Sequence, residues 1–436
     1  MKMQFPRSFP VLATLLLTAE IALAQATGDP QPPPPSDQSS PPLQPPPDLS
    51  SQPGRADRHH PHAHPFSPPP FPTKFGDPLP GLTAAQLADF AAGLDEFQNV
   101  ETAGSGLGPI FNNVSCVACH SAAAIGGGGP ITVTRFGSVT NGIYDPLASL
   151  GGSLLQQNAI DPAVQEIIPP TANVVVHRQS TPLFGMGLIE AIADQDILRG
   201  AQHPPIEGIR GRAAMITDVV SNTIRVGRFG WKAQQATLLA FAGDAYLNEM
   251  GITNRFFPTE NAPNGNTALL AQFDNFADPE DVIDPTTGKS DIDAAADFMR
   301  YLAPPPALPV TPSANPGRAI FNQINCGVCH TPALNTAPNV IPALDRKPVP
   351  LYSDLLLHDM GLLGDGIAQA AAGPHEMRTA PLWGLRASGP YLHDGRAATI
   401  DEAIRGHDGE AATVRDRYLR LAEKQRQQLL DFLGTL

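Results

Sequence analysis

All four cysteines of the chain lie in two copies of one motif, Cys-x-x-Cys-His. This spacing is the attachment sequence of c-type haem. Two thiols one helical turn apart reach the two vinyl groups on one edge of the porphyrin, and the next residue places an imidazole under the iron. The copies are Cys116-Val-Ala-Cys119-His120 and Cys326-Gly-Val-Cys329-His330. They predict two covalently bound haem c groups, with His120 and His330 as the proximal iron ligands.

Three other roles for these cysteines account for fewer features of the sequence than haem attachment does. A zinc site built from all four would leave both adjacent histidines without a role and would join pairs far apart in the chain. Two disulfides would each close a loop too small to add much stability. Thioredoxin-like chemistry needs a thiol of low pKa on a βαβ scaffold, and no such scaffold is visible in the sequence.

The chain contains an internal repeat around these motifs. Gly108-Pro-Ile-Phe-Asn-Asn precedes the first motif, and Gly317-Arg-Ala-Ile-Phe-Asn precedes the second. Downstream, Arg178-Gln-Ser-Thr-Pro-Leu-Phe-Gly resembles Arg378-Thr-Ala-Pro-Leu-Trp-Gly. A proline-rich stretch at residues 303–316 separates the halves. We therefore predict an N-terminal haem c domain with an insertion at residues 81–310, and a C-terminal haem c domain at 311–436.

The N-terminal residues have the pattern of an export signal. Lys2 and Arg7 precede an apolar stretch that ends Ala22-Leu23-Ala24, a small-x-small cleavage pattern. We predict a signal peptide at residues 1–24 and a periplasmic or secreted protein without a membrane span after cleavage. A buried helix and a retained anchor are the alternatives.

Residues 25–80 hold 19 of the 48 prolines and show no apolar periodicity. This composition predicts a disordered linker, because it lacks the side chains to bury a core. A histidine cluster at 59–64 could bind a metal weakly, but a solvated run in a disordered arm is the better explanation, so we place no site there.

From Gly81 onward, apolar residues recur at helical spacing. Thr83 precedes a predicted helix with Leu87, Phe90, Leu94 and Phe97 on one side. Residues 291–302 and 418–436 form two further amphipathic segments, whereas strand-like runs such as 174–176 are few. The fold prediction is therefore mainly α, with two c-type cytochrome modules and long loops. The net charge of −14 and the absence of a Lys/Arg cluster argue against a nucleic-acid partner.

Several motifs beyond the cysteines resemble a known group. Arg378-Thr-Ala-Pro-Leu-Trp-Gly-Leu-Arg and Pro390-Tyr-Leu-His393-Asp-Gly-Arg look like bacterial di-haem cytochrome c peroxidases and the methylamine-utilisation di-haem enzymes. Arg228-Phe-Gly-Trp231, Glu249-Met-Gly, Leu357-His358-Asp-Met-Gly and His407-Asp-Gly-Glu-Ala are more similar to the di-haem oxidoreductases often named thiol oxidoreductases. "Thiol" fits poorly, because no cysteine stays free once two haems are attached.

The resemblance implies an electron-transferring haem in the C-terminal module. In the peroxidases, a methionine that follows the His-Asp-Gly motif closes this iron, and the matching position here is His407. A bis-histidine iron, His330 with His407, is therefore implied, and its potential lies below that of a His/Met pair. His358 and Met360 are the alternative ligands, and His393 is implied to orient a haem propionate or a neighbouring main-chain group.

The N-terminal haem is the implied reaction site. In the peroxidases, a glutamate in a Glu-Met pair moves the peroxide proton, downstream of a tryptophan near the haem. Glu249 resembles this glutamate and is implied as the acid/base group. Trp231 resembles the tryptophan and is implied as an electron relay. The peroxidases' distal glutamine has no counterpart in residues 237–242. Met186, Met250 or His177 could instead close this iron, and the resemblance raises a calcium ion between the modules as a further candidate cofactor.

Three functions stay open from the sequence. The first is a di-haem oxidoreductase whose N-terminal haem reduces hydrogen peroxide or oxidises a substrate, with electrons from a small redox protein or a quinone-linked donor. The second is a non-catalytic di-haem electron carrier. The third is a haem enzyme that oxygenates an organic substrate.

Overall fold

The computed structural model describes residues 73–278 and 280–436. The predicted signal peptide, the histidine cluster at 59–64 and the linker up to residue 72 lie outside the described residues. Within the described residues, no helix has the length and apolar character needed to cross a membrane.

The described residues form a mixed α and β fold, so the prediction of a mainly α fold is wrong. The α-helices are α1 Ala84–Gln98, α2 Cys116–Cys119, α3 Met186–Glu190, α4 Asp194–Ala201, α5 Leu238–Met250, α6 Thr267–Phe273, α7 Asp291–Tyr301, α8 Ala314–Gln323, α9 Ile400–Arg405, α10 Ala412–Leu419 and α11 Glu423–Leu433. The strands are β1 Ile110–Phe111, β2 Thr132–Thr140, β3 Ile143–Asp145, β4 Leu154–Leu155, β5 Asn158–Ala159, β6 Val174–Gln179, β7 Ala214–Asp218, β8 Thr223–Gly227, β9 Leu334–Asn335, β10 Pro348–Val349, β11 Leu357–Asp359 and β12 Glu376–Arg378. Most strands have two to five residues, too few to show an alternating pattern in the sequence.

The largest sheet is built around β2. This strand pairs antiparallel with β3, β4 and β6, and Thr134 of β2 lies opposite His177 of β6. Side chains alternate between the two faces of a strand. Val133 and Arg135 of β2 therefore share a face with Arg178 of β6, and all three line one cavity of the protein.

Helices α1, α5 and α7 pack around the main hydrophobic core. The Thr83 side chain accepts a hydrogen bond from the main-chain N–H of Gln86 and begins α1. Gly93 lets α1 approach α7 closely, because a Cβ there would lie 2.3 Å from the Ala294 carbonyl oxygen. Phe90, Phe97 and Phe298 pack at this contact, with ring centroids 4.7–5.4 Å apart.

A second core joins α8 to α11. Gly317 permits the contact, since a Cβ on it would lie 1.9 Å from the Gln428 carbonyl oxygen. The rings of Phe321, Tyr352 and Phe432 pack edge to face beside it. The main core also takes in residues 343–356, which belong to the predicted C-terminal domain. The boundary after residue 310 stays a prediction.

A buried ion network ties β6 to the segment after β11. Asp365 accepts from Arg178 Nε at 2.6 Å and lies 2.9 Å from Lys232 Nζ. The two cations hold the pKa of the Asp365 carboxyl below its usual value, although burial opposes them. Breaking one member would leave an uncompensated charge, so the network fixes this segment beside the cavities.

Candidate functional site

The first Cys-x-x-Cys-His motif forms one helical turn, α2, that ends at His120. The His120 main-chain N–H donates to the Cys116 carbonyl at 3.1 Å. On the side chain, His120 Nδ1 lies 3.1 Å from the Gly127 carbonyl oxygen. A carbonyl only accepts, so Nδ1 carries the proton and Nε2 keeps a free lone pair. Burial lowers the pKa of His120 to about 4, which keeps the ring neutral and able to bind a metal.

The second motif has the same arrangement. The His330 main-chain N–H donates to the Cys326 carbonyl at 3.0 Å, and His330 Nδ1 lies 3.1 Å from the Tyr352 carbonyl oxygen. Burial lowers the pKa of His330 to about 4 as well. A histidine whose second nitrogen is held by a main-chain carbonyl is the usual form of a metal ligand.

The four thiols are not paired with one another. Burial raises the pKa of Cys116 and Cys326 to about 12 and that of Cys119 to about 11, so these cysteines are not thiolates at neutral pH. Among the described residues, no group of three or more His, Cys, Asp or Glu is placed to hold a metal ion. Thiols that stay protonated are poor nucleophiles, so this arrangement does not favour thiol–disulfide exchange.

A cavity of about 280 Å³ lies beside His330. His407 lines it too, and the His407 and His330 ring centroids are 6.3 Å apart. A first-row metal sits about 2.0–2.1 Å from an imidazole nitrogen, so two imidazoles on one metal have ring centres roughly 6 Å apart. His407 Nδ1 lies 2.8 Å from the Ala403 carbonyl oxygen, which again leaves Nε2 free.

The alternative ligands of this site are placed differently. Both ring nitrogens of His358 are engaged, Nδ1 with Glu410 at 2.7 Å and Nε2 with Asp354 at 3.0 Å. These hydrogen bonds raise the pKa of His358 to about 12 despite the burial that opposes them. A protonated ring has no lone pair for iron. Met360 and His393 also line this cavity.

A second cavity lies beside His120, and Glu249 lines it. The Glu249 carboxylate accepts a hydrogen bond from Asn112 Nδ2 at 2.9 Å. Burial raises the pKa of Glu249, while the Asn112 bond and nearby Arg135 oppose the rise. A carboxyl group with a raised pKa beside a ligand cavity is suited to acid/base chemistry.

The three residues predicted as alternative sixth ligands of the His120 site lie in different parts of the structure. Met250 lines this cavity, and Met186 lines the cavity of His330 instead. His177 Nδ1 lies 3.2 Å from Thr134 Oγ1, and His177 is not among the residues that line either cavity.

Trp231 lines both cavities. Its indole N–H donates to the Gln179 carbonyl at 2.8 Å, and its ring lies 6.3 Å from the His393 ring. Gln179, Ser180 and Thr181 also line both cavities. These four residues therefore form the partition between the two sites.

Two functional residues of the His120 cavity have no motif in the sequence, Arg135 and Tyr246. Arg135 Nε and Arg178 Nη2 are buried donors without a hydrogen-bond partner in the described structure. Such donors need an acceptor, and a carboxylate suits a guanidinium best. Haem carries two propionates, so the donors fit the predicted cofactor. Only the alternation of β2 could have indicated Arg135.

The chain was compared with known families and structures. A family model described as "Di-haem oxidoreductase, putative peroxidase" matches residues 170–436. No curated protein matches the chain. Among solved structures, Kuenenia stuttgartiensis hydrazine synthase is 15% identical, with 88% of this chain and 100% of that chain covered, at a TM-score of 0.38.

Two further structures are similar at the same level. A MauG-like protein associated with microbial copper homeostasis is 18% identical, with 58% of this chain and 89% of that chain covered, at a TM-score of 0.30. The diheme peroxidase BthA of Burkholderia thailandensis is 13% identical, with 80% and 86% covered, at a TM-score of 0.35.

Proposed function

Because the chain belongs to the di-haem oxidoreductase family, we propose that it is an exported enzyme with two covalently attached c-type haems. The haem at His330 transfers electrons. The haem at His120 is the site where hydrogen peroxide is reduced or a substrate is oxidised. The electron donor is a small redox protein or a quinone-linked carrier outside the cytoplasm.

One observation carries the proposal. His120, His330 and His407 each line a cavity, and the Nδ1 of each lies within hydrogen-bond distance of a main-chain carbonyl, which makes Nε2 the unprotonated nitrogen. Each predicted proximal histidine directly follows a pair of half-buried, unpaired cysteines. These residues would hold the haems, and bound haem supplies one-electron exchange and peroxide cleavage.

The two sites support different roles. His407 and His330 lie beside the same cavity with ring centroids 6.3 Å apart and would both hold the iron of that haem, which suits electron transfer alone. In the other cavity, the Glu249 carboxylate would take the proton from one peroxide oxygen and return it to the other. Reduction of one peroxide to two waters consumes two electrons and two protons, and Glu249, which lines this cavity, would move a proton there.

A second function has its own supporting observation. Met250 lines the His120 cavity, and a thioether bound there would close the iron. The protein would then be a di-haem electron carrier without a catalytic site.

The test uses the mature, haem-loaded protein. Mass spectrometry of the denatured chain should show two covalent haem additions. Electron paramagnetic resonance of the ferric and half-reduced protein should show a high-spin iron that responds to peroxide. Two irons that both stay low-spin and ignore peroxide would establish the carrier instead.

A matched pair of variants assigns the sites. Cys116→Ala with Cys119→Ala should remove one haem mass and the spectral response to peroxide. Cys326→Ala with Cys329→Ala should also remove one haem mass but keep peroxide binding while turnover is lost. The opposite assignment would contradict the proposed roles.

A further inference from the structure

The His120 cavity contains a tyrosine bonded to a carboxylate. Tyr246 of α5 is 2% exposed and lines the cavity. Its phenol donates a hydrogen bond of 2.6 Å to Glu96 Oε1 of α1. The Tyr246 side chain therefore lines the His120 cavity, and its hydroxyl is bonded to a base.

Glu96 is placed to accept a proton. It is half-buried, and burial raises its pKa to about 7, a rise to which Asp291 and Glu101 add and which the Tyr246 hydrogen bond opposes. A base with a pKa near the working pH can both take and return a proton. The partly exposed side chain also gives the proton a route to water.

A second buried tyrosine, Tyr418, also has a carboxylate partner but lies in a different environment. Tyr418 is fully buried and donates to Asp401 Oδ1. It does not line either cavity described above. The hydrogen bond from Arg405 lowers the pKa of Asp401, so that carboxylate is a poorer proton acceptor.

We propose that Tyr246 and Glu96 form a proton-coupled redox pair that stores one oxidising equivalent of the peroxide reaction. The proposal rests on the proposed function, whose oxidant is hydrogen peroxide acting at the His120 haem. Haem held at His120 would supply the one-electron oxidant after reaction with peroxide, and Tyr246, which lines the same cavity, would give up one electron. The phenol O–H bond breaks, its proton moves to Glu96 Oε1, and a neutral tyrosyl radical remains.

The reverse step returns the pair to its resting state. One electron from the donor reduces the radical, and the proton returns from Glu96 to the phenol oxygen. Electrons and protons balance within the pair, so no further co-reactant is needed. The pair would hold the second oxidising equivalent inside the protein until the donor's electron arrives.

The test is freeze-quench paramagnetic resonance of the mature di-haem protein after hydrogen peroxide is added. We expect a radical signal that narrows when the protein is made with ring-deuterated tyrosine, a measurement that needs no variant. Tyr246→Phe should abolish this signal, and Tyr418→Phe should keep it. Glu96→Gln removes the proton acceptor and should lower the radical yield at least about tenfold.

The ferric optical spectrum of each variant checks that both haems are bound. If peroxide oxidises the haem but no tyrosyl signal forms, or the signal persists in Tyr246→Phe, this inference is wrong and the proposed function stands. If peroxide leaves the optical spectrum of the unmodified protein unchanged, the proposed function fails and this inference fails with it.

Discussion

The three histidines proposed as iron ligands, His120, His330 and His407, share one feature, a main-chain carbonyl within hydrogen-bond distance of Nδ1. Among them, His407 is the one without a cysteine motif, and its ring faces His330 at 6.3 Å. The proposal that His407 binds iron therefore rests on the position of its ring and on the resemblance of the chain that follows His393 to the di-haem peroxidases. A single substitution can separate a ligand from a bystander.

His407→Ala should convert one low-spin iron to high-spin, because it removes the imidazole that we propose as the second ligand of that iron. Resonance Raman and paramagnetic resonance of the ferric protein measure the change. His203→Ala, which alters an exposed histidine, is the control and should leave both spectra as they are. An unchanged spectrum in His407→Ala would remove this residue from the iron.

Glu249→Gln should lower peroxide turnover about 10²-fold, a typical contribution of one general acid/base. The ionised carboxylate is the form that accepts the peroxide proton. Since burial raises its pKa, activity should rise as the pH rises through that raised value. The Gln variant should lose this dependence, as shown by a pH profile of kcat/KM.

Glu423→Gln is the matched control for Glu249→Gln. Glu423 is an exposed residue of α11 that pairs with Arg426. Its replacement should leave both the rate and the pH profile unchanged. An unaltered pH profile in Glu249→Gln would assign the titration to another group.

At the level of elements, the helix contacts depend on a few glycines. Gly317→Ala should lower the free energy of unfolding by about 1–3 kcal/mol, the usual cost of overpacking, because its Cβ would meet the Gln428 carbonyl at 1.9 Å. Urea denaturation followed by circular dichroism measures this. Gly200→Ala in α4 is the control: its Cβ would lie 3.8 Å from Leu356 and should be neutral or slightly stabilising. Equal stabilities would show that α8 can shift away from α11.

The sequence predicted helices better than strands, for a physical reason. The helix from Ala84 and the one from Asp291 follow from residues three and four apart, which are neighbours within one helix. The predicted helix at 418–436 is interrupted in the structure, where α10 ends at Leu419 and α11 begins at Glu423. Strand β2 pairs with β6 about forty residues later in the chain, and such pairing leaves no local pattern.

At the scale of the whole molecule, the same distinction between local patterns and long-range contacts applies to the candidate site. The Cys-x-x-Cys-His motifs are local, so residues 116–120 could be predicted as a haem-attachment site from the sequence, and that assignment stays a prediction. Arg135 and Tyr246 contribute to the cavity only because β2 and α5 fold against the motif. The hydrogen bonding of both ring nitrogens of His358 likewise depends on Glu410, which lies 52 residues away in the chain. Tertiary contacts, and not residue type, decide these roles.

The two cavities share a wall, and Trp231 is the large aromatic residue in it. If the His330 haem supplies electrons to the His120 haem, they cross this partition. The indole is polarizable and is held in place by its hydrogen bond to the Gln179 carbonyl. Trp231→Phe should therefore slow re-reduction of the peroxide-oxidised site, and the lost hydrogen bond should cost about 0.5–1.5 kcal/mol of stability.

The second tryptophan of the chain is the control for this prediction. Trp383 lines the His330 cavity but is not among the residues lining the His120 cavity. In stopped-flow measurements of the half-reduced protein mixed with peroxide, Trp383→Phe should keep the rate of electron transfer between haems, whereas Trp231→Phe should reduce it. Equal effects of the two substitutions would mean that electrons cross the partition by another route, through residues 179–181.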